Sequence, residues 1–175
     1  AIDSPEDAQH FLDIILKQTN RLNAIIGDLL LLSRVERDRD HESPLETEPR
    51  RLQDALRSAI DTCAHDAAEQ SVAINLTCDP SLKVRVNPVL FEQALVNLLE
   101  NAIRYSEADQ PVEVVGEQCE GDINVHVRDY GRGIPSQHLP RLFERFYRVD
   151  KARSREQGGT GLGLAIVKHV AEAHG

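Results

Sequence analysis

A chain of 175 residues that is 41% hydrophobic and 28% charged has the composition of an ordinary globular protein, long enough for one domain with an appendage or for two small domains. Its formal net charge of -9 argues against a general nucleic-acid binder, which needs a basic surface, and leaves room only for a local basic patch. Cys63, Cys78 and Cys119 are odd in number and include no CxxC pair, so they read as plain thiols of a reducing compartment. There is no signal peptide and no apolar run of about 18 residues, so the chain is expected to be soluble. With no Met at position 1 and an ending on "AEAHG", it also reads as a piece of something longer.

The first element is a helix. Ser4 can cap it, Pro5 suits its first position, and Glu6 and Asp7 put acids in its first turn. From there Phe11, Ile15, Gln18, Leu22, Ile25, Leu29 and Leu32 alternate steps of four and three, a heptad seam with one polar interruption. A narrow apolar stripe on a long helix needs a partner, so this helix is expected to pair in a bundle or coiled coil; packing on its own domain is the alternative. "RVERDRDHESPLETEP" (34–49) is polar with two prolines and reads as a linker. The expected organisation is therefore a helix over residues 1–38, a linker over 39–49 and a domain over 50–175.

Within that domain, Leu52, Leu56, Ile60, Cys63 and Ala67 fall on one face of a second helix. "SVAINLT" and "LKVRV" read as short strands with Asp79-Pro80 as the turn between them, and Asn87-Pro88 opens a third helix with a broad apolar face. "PVEVVGEQ" and "DINVHVRD" predict an antiparallel pair around Gly121, followed by a glycine- and charge-rich region and a last helix, "LGLAIVKHVAEAHG". This order predicts an α+β sandwich, a mixed sheet covered on one face by helices and preceded by a long helix.

Three stretches carry chemistry. In "NLLENAIRYS" (97–106), Asn97, Asn101 and Arg104/Tyr105 line one helical stripe beside the apolar one. Asparagine is a mediocre helix former, so such a pair either bonds a neighbouring loop or offers amide oxygens, which are hard neutral ligands suited to Mg²⁺. "DYGRGIP" (129–135) puts a carboxylate before two glycines, where backbone can approach a flat ligand and a buried acid can accept from an exocyclic amine. "GGTGLGLAI" (158–166) sets glycines directly before a helix whose N–H groups can hold phosphate, yet it is neither a P-loop nor the dinucleotide fingerprint.

The ordered set "NLLENAIRYS", "DYGRGIP", "LFERFYR" and "GGTGLGLAIVKH" resembles the N, G1, F and G2 boxes of sensor histidine kinases, within the GHKL or Bergerat ATP-binding superfamily. The resemblance covers roughly residues 50–175, and the first helix resembles the second helix of the dimerisation and histidine-phosphotransfer domain. It implies a Bergerat-type fold, ATP and Mg²⁺ as ligands, and Asn101 as the Mg²⁺ ligand, with Asn97 as a second candidate that also supports the phosphates. Arg104 would lie near the phosphates and Tyr105 on the adenine. Asp129 would accept from the adenine amino group, with Gly131, Gly133 and Ile134 shaping that wall. Thr160, Leu162 and Arg148 join Gly159, Gly161 and Gly163 around the triphosphate. Residues 136–158 would form a lid with a cationic face from Arg145, Arg148, Lys151, Arg153 and Arg155, anchored by Phe143 and Phe146.

Related ATPases carry a water-activating Glu four residues before the metal Asn, but here that position is Asn97, and an amide is no general base. Glu100 lies about 100° around the helix from Asn101, which disfavours it for that role. No H-box of the His-Glu/Asp-x-x-Thr/Asn-Pro kind occurs, and His10, followed by "FLDI", is not expected to be a phosphoacceptor. The resemblance implies a fragment that binds Mg-ATP, with the acceptor histidine, the last strands of the ATP domain and membrane anchoring in segments outside it. Its partners would be a second copy, through the first helix, and a response regulator, with no nucleic acid. A GHKL ATPase or a non-enzymatic dimerisation module with a degenerate pocket are the alternatives.

Overall fold

The computed structural model describes residues 5–40, 45–107, 109–149 and 159–175; Ser4, the side chain of His10, and Lys151, Arg153, Arg155 and Gly158 lie outside the described residues. The chain runs α1 (Pro5–Asp40), β1 (Glu48–Arg51), α2 (Leu52–Glu69), β2 (Ile74–Cys78), β3 (Lys83–Val86), α3 (Pro88–Tyr105), β4 (Val112–Cys119), β5 (Asp122–Arg128), a 3-10 helix (Ser136–Arg141) and α4 (Gly163–His174).

The expected α+β sandwich is present. β2 pairs in parallel with β4, and β4 pairs antiparallel with β5, giving a mixed three-stranded sheet. Glu120 and Gly121, both at positive φ, close the β4–β5 hairpin as a two-residue turn. A parallel pair needs a crossover connection, and α3 lies within it. Val112 and Val114 of β4 bury against Leu52, Leu56, Ala59 and Cys63 of α2 and Leu95, Leu99 and Ile103 of α3, the main core.

Two strand expectations are refined. β2 and β3 form on either side of the Asp79-Pro80 turn as expected, but they do not pair: β3 pairs antiparallel with β1 in a separate two-stranded ladder. The turn itself forms, with Ser81 N–H donating to Asp79 Oδ1 at 2.8 Å, but Val84 and Val86 then bury in the main core while Leu52 N–H bonds the Leu82 carbonyl. β1, in turn, occupies the end of the stretch that read as linker. Its sequence "EPRR" has no buried residue, so it carries no alternation from which a strand could be read.

The start of α3 follows the sequence closely. Asn87 caps it by accepting from Leu90 N–H at 3.1 Å, with Pro88 in the first turn. The N–H of Asn87 itself donates to His174 Nε2 at 2.9 Å, which ties the end of α4 to the start of α3.

α1 corrects a third expectation. Its seam does not face one way: Leu32 is buried and Ile25 packs with it against Leu90 and Ala94 of α3 and Leu162, Ile166 and Val170, whereas Phe11, Ile15, Leu22 and Leu29 are exposed. A seven-residue repeat drifts by about 20° per heptad around a straight helix, so a seam that begins on the outer face turns toward the domain by its end. One end of α1 thus packs on its own domain, and the other carries an exposed apolar stripe.

Cys63, in the α2 face of the core, shows what that packing costs a titratable group. Burial, with smaller contributions from Glu100 and Asp66, pushes its thiol up to about 11. The neutral thiol is the form the fold favours, so the stability tied to it is complete below the unfolded-state value near 9 and is lost as pH rises toward 11. Comparing the melting temperature of the chain and its Cys63→Ala variant from pH 8 to 11 should show a steeper alkaline decline in the wild type; parallel curves would refute it.

Candidate functional site

One cleft of about 1330 Å³ opens between α1, α3, the turn after β5, the segment before residue 150 and the glycine turn that starts α4. α3 contributes Asn97, Asn101, Arg104 and Tyr105 to its wall, the stripe read from sequence. Asp129, Gly133 and Ile134 come from the turn after β5, Phe143 and Arg148 from the following segment, and Gly159, Thr160, Gly161 and Gly163 from the last turn.

Each group is held for a local reason. Asn97 is only 7% exposed because α4 begins directly on it: a Cβ on Gly163 would lie 3.0 Å from Asn97 Oδ1. Its Nδ2 has no hydrogen-bond partner among the described residues, a costly state for a buried amide. A Cβ on Gly159 would lie 3.0 Å from Arg104 Nη1 and 3.7 Å from Arg148 Nη2, so two guanidinium groups from different elements converge on that turn. The turn is locked by Phe146, whose N–H donates to the Gly161 carbonyl at 2.9 Å. Gly161 and Phe146 both sit at positive φ, where glycine is at ease and phenylalanine is strained. Thr160 Oγ1 accepts from Leu162 N–H at 3.2 Å and donates to Asp28 Oδ2 of α1 at 3.0 Å.

On the opposite wall, Asp129, which lines the cleft, accepts from Gly131 N–H through Oδ1 at 3.0 Å, shaping the turn. Tyr130 is pinned beside it: its hydroxyl donates to Glu113 Oε2 at 2.8 Å, and the Arg128 guanidinium stacks 5.1 Å from its ring centre. His138 Nδ1 and the Tyr147 hydroxyl meet at 2.6 Å, bracing the segment that carries Phe143 and Arg148.

The geometry departs from the sequence reading at four points. Asp129 is exposed, not buried, because it follows the last residue of β5 at the rim. Leu162 is fully buried with Leu32 and Ile166, a core residue that does not line the cleft. Gly131 also stays behind the wall, under the carbonyl of Tyr105. Phe143 and Phe146 are 46% and 56% exposed, so the hold on the turn comes from the Phe146 backbone and not from a buried aromatic pair. What the sequence reading missed is α1, which lines the cleft with Asn20, Arg21, Ala24 and Asp28. The signal lay in Asn20, Arg21, Ala24 and Asp28, small or polar positions recurring at helical spacing beside the apolar seam.

Residues 86–175, just over half of the chain, match the family described as histidine kinase-, DNA gyrase B- and HSP90-like ATPases, and the chain belongs to that family. It is 37% identical over 180 residues to the sensor-like histidine kinase SenX3 of Mycolicibacterium smegmatis, covering 98% of this chain and 44% of that protein. It is 32% identical over 171 residues to the signal transduction histidine-protein kinase ArlS of Staphylococcus haemolyticus, covering 98% and 37%. The chain thus spans less than half the length of these relatives. Among solved structures it is similar to the mycobacterial sensor histidine kinase MprB, with a TM-score of 0.63 at 28% identity, covering 74% of this chain and 80% of that one.

The residues present fit a nucleotide polyphosphate. Two guanidinium groups face a glycine turn at a helix start, and an orphaned buried amide stands beside them. Among the described residues no group of three or more His, Cys, Asp or Glu side chains could hold a metal by itself, and no helix is long and apolar enough to cross a membrane.

Proposed function

We propose that this chain is the Mg-ATP-binding catalytic part of a sensor histidine kinase, serving transfer of the γ-phosphoryl group to a histidine on another helix and relay to a response-regulator aspartate. The observation that carries it is the convergence of Arg104 and Arg148 on the Gly159 turn beside Asn97 and Asn101. Asn101 would hold Mg²⁺, shared with phosphate oxygens, there being no carboxylate cluster among the described residues, with Asn97 supporting both. Arg104, Arg148 and the backbone of Gly159 to Gly163 would bind the phosphates, and Tyr105, Asp129, Gly133 and Ile134 the base. Bound Mg-ATP supplies the transferable phosphoryl group. The chain's own part is to position it and neutralise its charge, and the amide at position 97 cannot act as a general base toward water.

The relatives' names support this reading, as does the exposed stripe of α1, which suits a homodimer. Residues 1–38 would belong to the dimerisation hairpin, 39–49 to the connection and 50–175 to the catalytic domain, acting in the cytoplasm with any membrane anchor in other segments. Incubated with γ-labelled ATP, the chain alone is expected to form no acid-labile phosphoprotein. Adding a dimerisation hairpin that carries an H-box histidine should restore labelling on the hairpin. Labelling of the chain itself, or steady phosphate release without an acceptor, would sink the proposal.

A further inference from the structure

Thr160 belongs to the turn that the Mg-ATP reading gives to the phosphates, yet its hydroxyl already donates to a carboxylate, Asp28 Oδ2 of α1, at 3.0 Å. The same oxygen accepts from Leu162 N–H, so Asp28 stands one hydroxyl away from the backbone at the start of α4. Among the described residues its hydrogen bond goes to a neutral group and not to Arg21, Arg104, Arg132 or Arg148, the guanidinium groups lining the same cleft. Burial pushes the Asp28 carboxyl up, with the Thr160 bond opposing. Glu100 of α3 lines the same cleft. The cleft therefore already holds carboxylates, Asp28, Glu100 and Asp129 among them, before any ligand arrives. A polyphosphate brings several more negative charges into the same partly desolvated space, where like charges repel far more strongly than in bulk water.

We propose that Asp28 is a charge brake on the nucleotide site: α1 holds a carboxylate against the glycine turn, and this lowers the affinity of the cleft for polyphosphates in proportion to their charge. The inference rests on the Mg-ATP reading. Seating of α1 and binding of polyphosphate then oppose each other, and by reciprocity the bound nucleotide loosens the Asp28–Thr160 contact by the same factor.

The test is calorimetric titration of the chain and its Asp28→Asn variant with adenosine, ADP and a non-hydrolysable ATP analogue, with Mg²⁺ at low salt. Asparagine keeps an acceptor for Thr160, so the variant removes charge without removing the hydrogen bond. The ATP analogue is expected to bind the variant about fivefold more tightly, ADP about twofold, and adenosine equally. Asp28→Glu, which restores the charge, should return the affinities toward wild type. Equal affinities for all three ligands would overturn the brake, and so would weaker, Mg²⁺-dependent binding by Asp28→Asn, which would make the carboxylate a cation ligand. A wild-type chain that binds none of the three overturns the Mg-ATP reading itself and this inference with it.

Discussion

Asn101→Ala is expected to abolish the Mg²⁺-dependent part of ATP-analogue binding, a loss of about a hundredfold or more. Among the described residues no carboxylate cluster could take over the cation from the Asn101 amide oxygen. The fold should survive, because Asn101 is half-buried on the cleft side and outside both core clusters, and alanine suits a helix interior. Titration with and without Mg²⁺, beside a circular-dichroism melt, separates the two effects. If the variant binds the analogue as tightly as the wild type in Mg²⁺, Asn101 is not the ligand. If binding and melting temperature fall together, the loss is structural.

Gly131→Ala should damage the same site by another route. The added Cβ would come within 2.0 Å of the Tyr105 carbonyl oxygen, a backbone atom that cannot swing away, and 3.0 Å from Asp129 Oδ1. Either the end of α3 or the turn after β5 must shift, at a cost of about 2–4 kcal/mol. Both carry proposed nucleotide contacts, so binding should fall by more than about tenfold. Gly133→Ala is the control: a Cβ there meets nothing within 4 Å, and its φ of +69° costs only about 1 kcal/mol. Equal melting temperatures for the two variants would show that the close approach at Gly131 relaxes without consequence.

The legible parts of the sequence were those whose signals are local. Asn87-Pro88 announces the start of α3 because cap and proline act within one turn, and Gly121 announces the β4–β5 hairpin because few residues accept that backbone. The Asn97/Asn101/Arg104 stripe was legible because helical spacing alone places it on one wall. The rest is set by tertiary packing. β1 has no apolar residue to betray it, and its pairing with β3 depends on where α2 docks. Leu162, flanked by glycines, reads as turn but is buried against Leu32 of α1, too far away in sequence to reveal it. Asp28 reads as a surface acid of a paired helix until Thr160, 132 residues away, is brought to it.

The way α1 is attached also has a mechanical side. Its 36 residues make a rod about 54 Å long, seated on the domain through Ile25, Asp28 and Leu32, with its exposed apolar residues mostly on the arm that precedes this seat. That arm reaches about 35 Å from Asp28 back to Pro5, so a tilt of about 10° at the seat sweeps its far end through about 6 Å. Such a sweep exceeds one turn of helix, enough to change which side chains along the arm face a neighbour. A small rotation about the seat is thereby magnified along the arm, most at the end farthest from Asp28.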